Sequence, residues 1–247
     1  MLKPVPSPAV KSYETNLNGR DFVVGDIHGH FNLLRSLLEQ AGFDEAKDRV
    51  FSAGDLIDRG PYSDEVIAWL KQPWFHAVRG NHEQMIVECA MGLGDIPRHI
   101  RNGGAWFHEA PAASQSGIFE VVNDLPIMLE IELPDGRTVG LVHAEAPTLQ
   151  WSDGWPEAKA YLAGHAGEEW QQQALKCALY SRKKIENSDH SIVEGIDTIY
   201  VGHSTVADVT KLGNVVYFDT GCSFGDGALS LIDINTGAIF QRPTTAD

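Results

Sequence analysis

The sequence predicts an α/β fold, and two observations carry that prediction. Short apolar runs of strand length alternate with segments whose apolar residues recur at helical spacing. The first three runs also end at a glycine followed by an acidic or amide residue, at Gly25-Asp26, Gly54-Asp55 and Gly80-Asn81. Ligands of α/β sheets bind beyond the carboxyl ends of strands, so a site is expected at these junctions.

The elements follow in order. Residues 1–20 open on a proline-rich stretch and are read as an extended arm. Asp21-Phe22-Val23-Val24 reads as a strand. Phe31, Leu34, Leu37, Leu38 and Ala41 repeat at helical spacing, and Gly42 suits the position after a helix end. Residues 49–53 form the next strand. Ser63 is the expected N-cap of a helix whose first turn carries Asp64 and Glu65, favourable against the macrodipole. Residues 74–78 are a third strand, followed by a helix through Met85, Ile86, Cys89 and Ala90. Residues 93–126 read as a mostly helical insertion walling the substrate cleft, broken at Asn102-Gly103-Gly104 and Pro111. Residues 129–133 and 138–142 flank Asp135-Gly136, a hairpin signal. Residues 157–186 look helical, and strands return at 198–201, 215–218 and 228–234. No linker interrupts the pattern, so residues 1–247 are expected as one domain.

A net charge of −15 argues against nucleic-acid and anionic-membrane partners. An anionic substrate then needs a local positive centre, which divalent metals supply. Cys89, Cys177 and Cys222 form no C-x-x-C pair, so neither a disulfide framework nor a thiolate zinc site is suggested. They are read as small buried hydrophobes, with Cys222 near a strand end. The N-terminus lacks the apolar segment of a signal peptide, and no run approaches the roughly 18 apolar residues that span a bilayer. A cytoplasmic location is expected. The sequence does not address oligomeric state.

The candidate ligands are Asp26, His28, Asp55, Asn81, His143 and His203; all but His28 stand at or just past the end of a predicted strand, and His28 shares the loop of Asp26. Two carboxylates, three imidazoles and an amide oxygen suit manganese, iron or zinc better than calcium. A carboxylate can bridge two ions, and Asp55, central in the longest motif, is the natural bridge. Two metals about 3.5–4 Å apart would clamp the attacking and departing oxygens of an in-line displacement. A nearby histidine suits protonation of a leaving alkoxide, a carboxylate partner favours its imidazolium, and an arginine fork matches two phosphate oxygens. His76, His99, His108, His165 and His190 are read as surface or outer residues.

The ordered set Gly25-Asp26-Ile27-His28-Gly29, Gly54-Asp55-Leu56-Ile57-Asp58-Arg59-Gly60, Gly80-Asn81-His82-Glu83, His143-Ala144 and Gly202-His203 resembles the metallophosphoesterase superfamily. It looks most like the phosphoprotein phosphatase (serine/threonine phosphatase) branch, and within it the compact bacteriophage lambda-type and enterobacterial enzymes. The resemblance implies a calcineurin-like sandwich of two mixed sheets flanked by helices. It implies two divalent ions, manganese before iron or zinc. Asp26, His28 and Asp55 would hold the first ion, and Asp55, Asn81, His143 and His203 the second. His82 would be the general acid oriented by Asp58, with Arg59, Arg182 and Asn81 on the phosphate. The implied substrate is a phosphoprotein or phosphopeptide carrying phosphoserine or phosphothreonine, with phosphotyrosine also in range. The alternatives are a dinucleoside polyphosphate hydrolase, whose members usually read G-N-H-D where this chain has Glu83, and an inactive phosphoprotein-binding scaffold. His30 receives no role. The chain lacks the Ser-Ala-Pro-Asn-Tyr phrase of eukaryotic relatives, and Ala144-Glu145 follow His143.

Overall fold

The computed structural model describes residues 2–245. Its strands are β1 (Val10–Tyr13), β2 (Asp21–Val24), β3 (Arg49–Ser52), β4 (Phe75–Ala77), β5 (Met128–Glu132), β6 (Thr138–Val142), β7 (Thr198–Val201), β8 (Thr210–Leu212), β9 (Val215–Tyr217), β10 (Ala228–Asp233) and β11 (Ile239–Pro243). Its α-helices are α1 (Phe31–Gln40), α2 (Val66–Leu70), α3 (Asn81–Ala90), α4 (Ile96–His99), α5 (Ala105–Glu109), α6 (Ala112–Asn123), α7 (Trp155–Leu162), α8 (Glu168–Tyr180) and α9 (Lys183–Glu186). Two mixed sheets result, in the orders β1-β5-β6-β7-β9-β8 and β11-β10-β2-β3-β4.

The sheets face each other across Val23, Phe51, Leu129, Leu141, Tyr200, Val216 and Ile232, a layer drawn from both. The outer face of the five-stranded sheet is covered by α1, α2, α3 and α6 through Phe31, Leu34, Trp69, Ile86 and Val122. The outer face of the other sheet is covered by α7 and α8 through Trp155, Ala158, Leu175 and Leu179. Strand β2, central between antiparallel β10 and parallel β3, is buried along its whole length, as expected of a strand covered on both faces. No helix among the described residues is long and apolar enough to cross a membrane.

Several expectations change. Residues 10–13 of the arm are an edge strand, pairing in parallel with β5 from Val10↔Met128 to Tyr13↔Ile131. Ser63 is not an N-cap. It lies inside a 3₁₀ turn (Ser63–Glu65), and its hydroxyl donates backward to the Gly60 carbonyl at 3.2 Å. The N-cap of α3 is Gly80, whose N–H reaches the Glu83 carboxylate at 2.8 Å, so Asn81 opens the helix with its side chain free for other work. The polar helical stretch begins at Trp155 and breaks into α7, α8 and α9, with left-handed Gly164 and Gly167 between the first two. Between α4 and α5 the helix widens into a π turn (Ile100–Gly104), where Gly103 has φ 102°. An added Cβ there would stand 2.7 Å from the Arg59 amide, so the glycine lets this segment approach the Arg59 loop.

Candidate metal centre and active site

The site is made by turns that leave the strands. Among the described residues, the non-glycine positions with positive φ are His28, Asp55, Asp58, Arg59, Ser188 and His203. All but Ser188 are residues that the sequence marked for chemistry. Left-handed backbone is costly outside glycine, and it persists where surrounding contacts over-determine it. Here the His28 amide donates to the Asp55 carbonyl at 2.8 Å, and the Glu83 carboxylate accepts the amides of Asp55 and Leu56 at 2.9 and 2.8 Å. Glu83 therefore locks the Asp55 turn to the start of α3. Burial first, and then the Asp55 charge, push its carboxyl up to about 7.

Asp55 is the hub. Its Oδ1 lies 3.4 Å from His143 Nε2 and accepts the His82 amide at 2.9 Å, and its Oδ2 lies 3.6 Å from His28 Nε2. Two triples of donor atoms meet within 4.8 Å, namely His28, Asp55, His82 and Asp55, His143, His203. Both share Asp55. Asp26 is in neither triple, though it borders the same cavity and its carboxylate accepts the His203 amide at 3.1 Å. Close packing admits it: a Cβ on Gly202 would lie 1.9 Å from Asp26 Oδ1, and one on Gly80 would lie 2.2 Å from Asp55 Oδ1.

The donor set fits a pair of divalent cations. His28 and His143 each turn Nδ1 to a backbone carbonyl, Ile57 at 2.9 Å and Ala53 at 2.8 Å, which leaves the Nε2 lone pairs facing inward. His143 Nε2 then opposes Asn81 Oδ1 at 2.9 Å, two acceptors that a cation would reconcile. His203 Nε2 is buried with no hydrogen-bond partner. Burial pushes the His28 and His203 rings down to about 3, which keeps them in the neutral form that ligates metal. Burial, then Asp219, then Asp55 raise the Asp26 carboxyl well above the ordinary range, a crowding of negative charge that a cation would relieve. Burial also works on Asp55, but His143, His82 and His28 together outweigh it and hold that carboxyl low.

Beside this centre, His82 Nδ1 lies 2.6 Å from Asp58 Oδ2, both fully buried. Burial opposes the imidazolium of His82, yet Asp55 and Asp58 outweigh it and raise its pKa. Arg59 spreads its fork to His28 Nε2 at 2.9 Å and His82 Nε2 at 3.2 Å, and Nη1 also reaches Ser223 Oγ at 3.1 Å. Arg182 is tied to the His203 carbonyl at 3.0 Å and borders the same cavity. The structure thus brings all ten predicted residues to one cavity or its immediate wall. The 93–126 segment contributes Arg98 and Asn102 to that wall.

Sequence reading missed the second half of the Asp58 environment. His99 is fully buried and its Nε2 lies 3.0 Å from Asp58 Oδ2, while the Trp106 indole donates to Asp58 Oδ1 at 2.7 Å. Of the two readings given to His99, surface or outer residue, burial removes the first and the contact with Asp58 fits the second. Asp219 was also unassigned. It accepts from Thr205 Oγ1 at 3.0 Å and lines the cavity. Cys222 is buried under the site, its thiol donating to the Asp26 carbonyl at 2.9 Å.

The sequence profile of the calcineurin-like phosphoesterase family matches residues 22–207, the span that holds the predicted ligands. The chain belongs to this family. Among its relatives is the serine/threonine-protein phosphatase 1 of Salmonella typhimurium, 36% identical over 86% of this chain and 91% of that protein. The serine/threonine-protein phosphatase 2 of Escherichia coli is 33% identical over 86% of this chain and 92% of its own. A symmetrical bis(5'-nucleosyl)-tetraphosphatase of Methylococcus capsulatus is 30% identical over 91% and 99%. Among solved structures, a putative diadenosine tetraphosphatase superposes with a TM-score of 0.65 at 22% identity, covering 97% of this chain and 99% of that one, which speaks for the fold. A calcineurin-like phosphoesterase is a metal-dependent hydrolase by descent, and the donor triples around Asp55 are consistent with that membership.

Proposed function

We propose that this calcineurin-like phosphoesterase is a phosphoprotein phosphatase that hydrolyses phosphoserine and phosphothreonine esters, with phosphotyrosine as a further substrate. The observation that carries the reading is the His82–Asp58 pair beside two donor triples that share Asp55. Asp26, His28 and Asp55 would hold one ion, and Asp55, Asn81, His143 and His203 the other, with manganese favoured and iron or zinc next. When bound, such a pair polarises the phosphoryl group and acidifies water at neutral pH. The side chains do the rest. Arg59 and Arg182 bind phosphoryl oxygens, and the Arg59 fork already bridges the two imidazoles where those oxygens would enter. Asn81 supplies a further polar contact to the phosphate. His82 Nε2 gives its proton to the departing oxygen, and Asp58 on Nδ1 fixes the tautomer that makes this possible.

A second reading, hydrolysis of dinucleoside tetraphosphates, is favoured by the name and identity of the Methylococcus relative. Against it stand the higher identity to the protein phosphatases among relatives matched over most of the chain and the Glu83 of the Gly-Asn-His-Glu motif. The cavity over the site also shares Tyr180 and Arg182 with a larger neighbouring groove, of a size to take a polypeptide segment. The test is a panel of phosphopeptides and bis-adenosyl tetraphosphate with manganese added, run with elemental analysis of the purified protein. Phosphopeptide turnover that is lost in His82→Asn and Asp55→Asn is expected. Preferential turnover of the tetraphosphate would overturn the assignment, and so would undiminished activity in either variant.

A further inference from the structure

Outside the cavity just described, three helices aim sulfur and nitrogen donors at one point. Cys89 is near the end of α3, His99 closes α4 and His108 lies in α5, and one donor atom from each falls within 4.8 Å of the others. We propose that Cys89, His99 and His108 form a further metal site, separate from the Asp55 centre, that takes zinc or a similar borderline divalent ion.

The donor chemistry selects the ion. A thiolate with two imidazoles suits zinc or cobalt and disfavours magnesium, calcium and manganese. The Asp55 centre, by contrast, holds oxygen and nitrogen donors only, so the two sites differ in their preference. The orientation of His99 is already that of a ligand. Its Nε2 is directed to the Asp58 carboxylate at 3.0 Å, which leaves Nδ1 directed at His108 Nε2, 3.0 Å away. A carboxylate on the far nitrogen is the arrangement that fixes tautomer and basicity in metal-bound histidine. His99 is fully buried, whereas Cys89 and His108 are half-buried, so one ligand is anchored and two face an entry path. Room for the cluster comes from two glycines: a Cβ on Gly104 would lie 2.1 Å from His99 Nε2, and one on Gly94 would lie 2.7 Å from Cys89 Sγ. Solvent would supply any further ligand.

Binding balances simply. In the metal-free pair, His108 Nε2–H donates to His99 Nδ1. On binding, His108 moves its proton to Nδ1 and offers Nε2, and His99 keeps its Nε2 proton on Asp58. The Cys89 thiol releases its proton to solvent, so one proton leaves per ion. Burial and the Glu88 charge raise that thiol, and affinity therefore falls as pH falls. The consequence for the fold is a clamp that pins α4 and α5 to α3, holding in place the segment that supplies Trp106 and His99 to Asp58.

The test uses the full chain stripped of metal and titrated with cobalt(II). A thiolate-to-cobalt charge-transfer band reports this site alone, since no sulfur belongs to the Asp55 centre. Wild-type protein is expected to develop the band and to lose it when zinc is added. Cys89→Ser should abolish it, Cys222→Ser and Cys177→Ser should keep it, and His108→Ala should weaken cobalt affinity by about tenfold or more. Absence of the band in wild type, or its persistence in Cys89→Ser, would overturn the proposal. If Cys89→Ser does not fold, zinc protection of wild-type Cys89 against alkylation, located by peptide mass spectrometry, decides in its place. Unchanged alkylation with zinc would then reject the site.

Discussion

Asp58→Asn isolates the general acid from the metal centre. Asp58 is fully buried and saturated: Oδ2 faces His82 Nδ1 at 2.6 Å and His99 Nε2 at 3.0 Å, and Oδ1 accepts the Trp106 indole at 2.7 Å. Burial pushes its carboxyl up, but the hydrogen bonds and charges of His82 and His99 outweigh it and hold the carboxyl down at about 2, so it is an anion at neutral pH. An amide is nearly isosteric but has only one acceptor. Either its NH₂ meets the Trp106 N–H, or it meets the two imidazoles. A charge-assisted hydrogen bond contributes about 1.5–3 kcal/mol, and a neutral one about 0.5–1.5 kcal/mol. The imidazolium of His82 therefore loses roughly 1–2 kcal/mol of support, and the misplaced donor adds about 1 kcal/mol. At about 1.4 kcal/mol per decade, kcat on a phosphoserine peptide should fall roughly thirty- to a hundred-and-fiftyfold. An aryl phosphate with a good leaving group needs no proton at departure and should lose only a few-fold. Both substrates are assayed side by side at saturating manganese, with thermal unfolding as the control for folding. Equal losses on the two substrates would refute the role assigned to His82 and Asp58.

Three further outcomes follow from the same geometry. Gly202→Ala places a methyl 1.9 Å from Asp26 Oδ1, so it should lower bound metal per chain and cut activity by tenfold or more, while the fold, read by circular dichroism, persists. His76 packs 4.6 Å from Tyr13 and 5.1 Å from Phe51, and burial, then Lys11 and Arg49, push its ring down from the ordinary 6.5 to about 4. The native state thus prefers the neutral ring, and the stability this contributes is complete above pH 6.5 and lost as pH falls toward 4. The loss is roughly 2–3 kcal/mol, and His76→Phe should remove it, as denaturant curves at pH 7 and pH 4.5 would show. Finally, chelation should abolish hydrolysis and lower the melting temperature, since it strips cations from a site where Asp26 and Asp219 crowd buried negative charge. Unchanged melting on chelation would count against a bound ion.

The central strands were legible because each is a short apolar run cut off by a glycine, and burial on both faces leaves nothing else for such a run to do. The edges were not. Strands β1, β8 and β11 sit at sheet margins and carry mixed residues such as Lys11, Ser12, Lys211, Gln241 and Arg242; β1 exists through pairing with the distant β5, while β8 and β11 fold back on their chain neighbours β9 and β10. Ser63 misled because its hydroxyl can either accept a helix amide as an N-cap or donate to a nearby carbonyl, and here it donates to Gly60.

What the sequence by itself determined was which residues gather at the site and where that site lies on the sheets. Each motif holds turn and donor within a few residues, so Asp26, His28, Asp55, Asp58, Arg59, Asn81 and His82 could be read from local chemistry alone. What only the tertiary structure decided was the company those residues keep. His99 meets Asp58 across 41 positions, His203 leans on Asp26 across 177, and Cys89 joins His99 and His108 from another helix. Such contacts arise where sheets and helices pack, and no spacing along the chain encodes them.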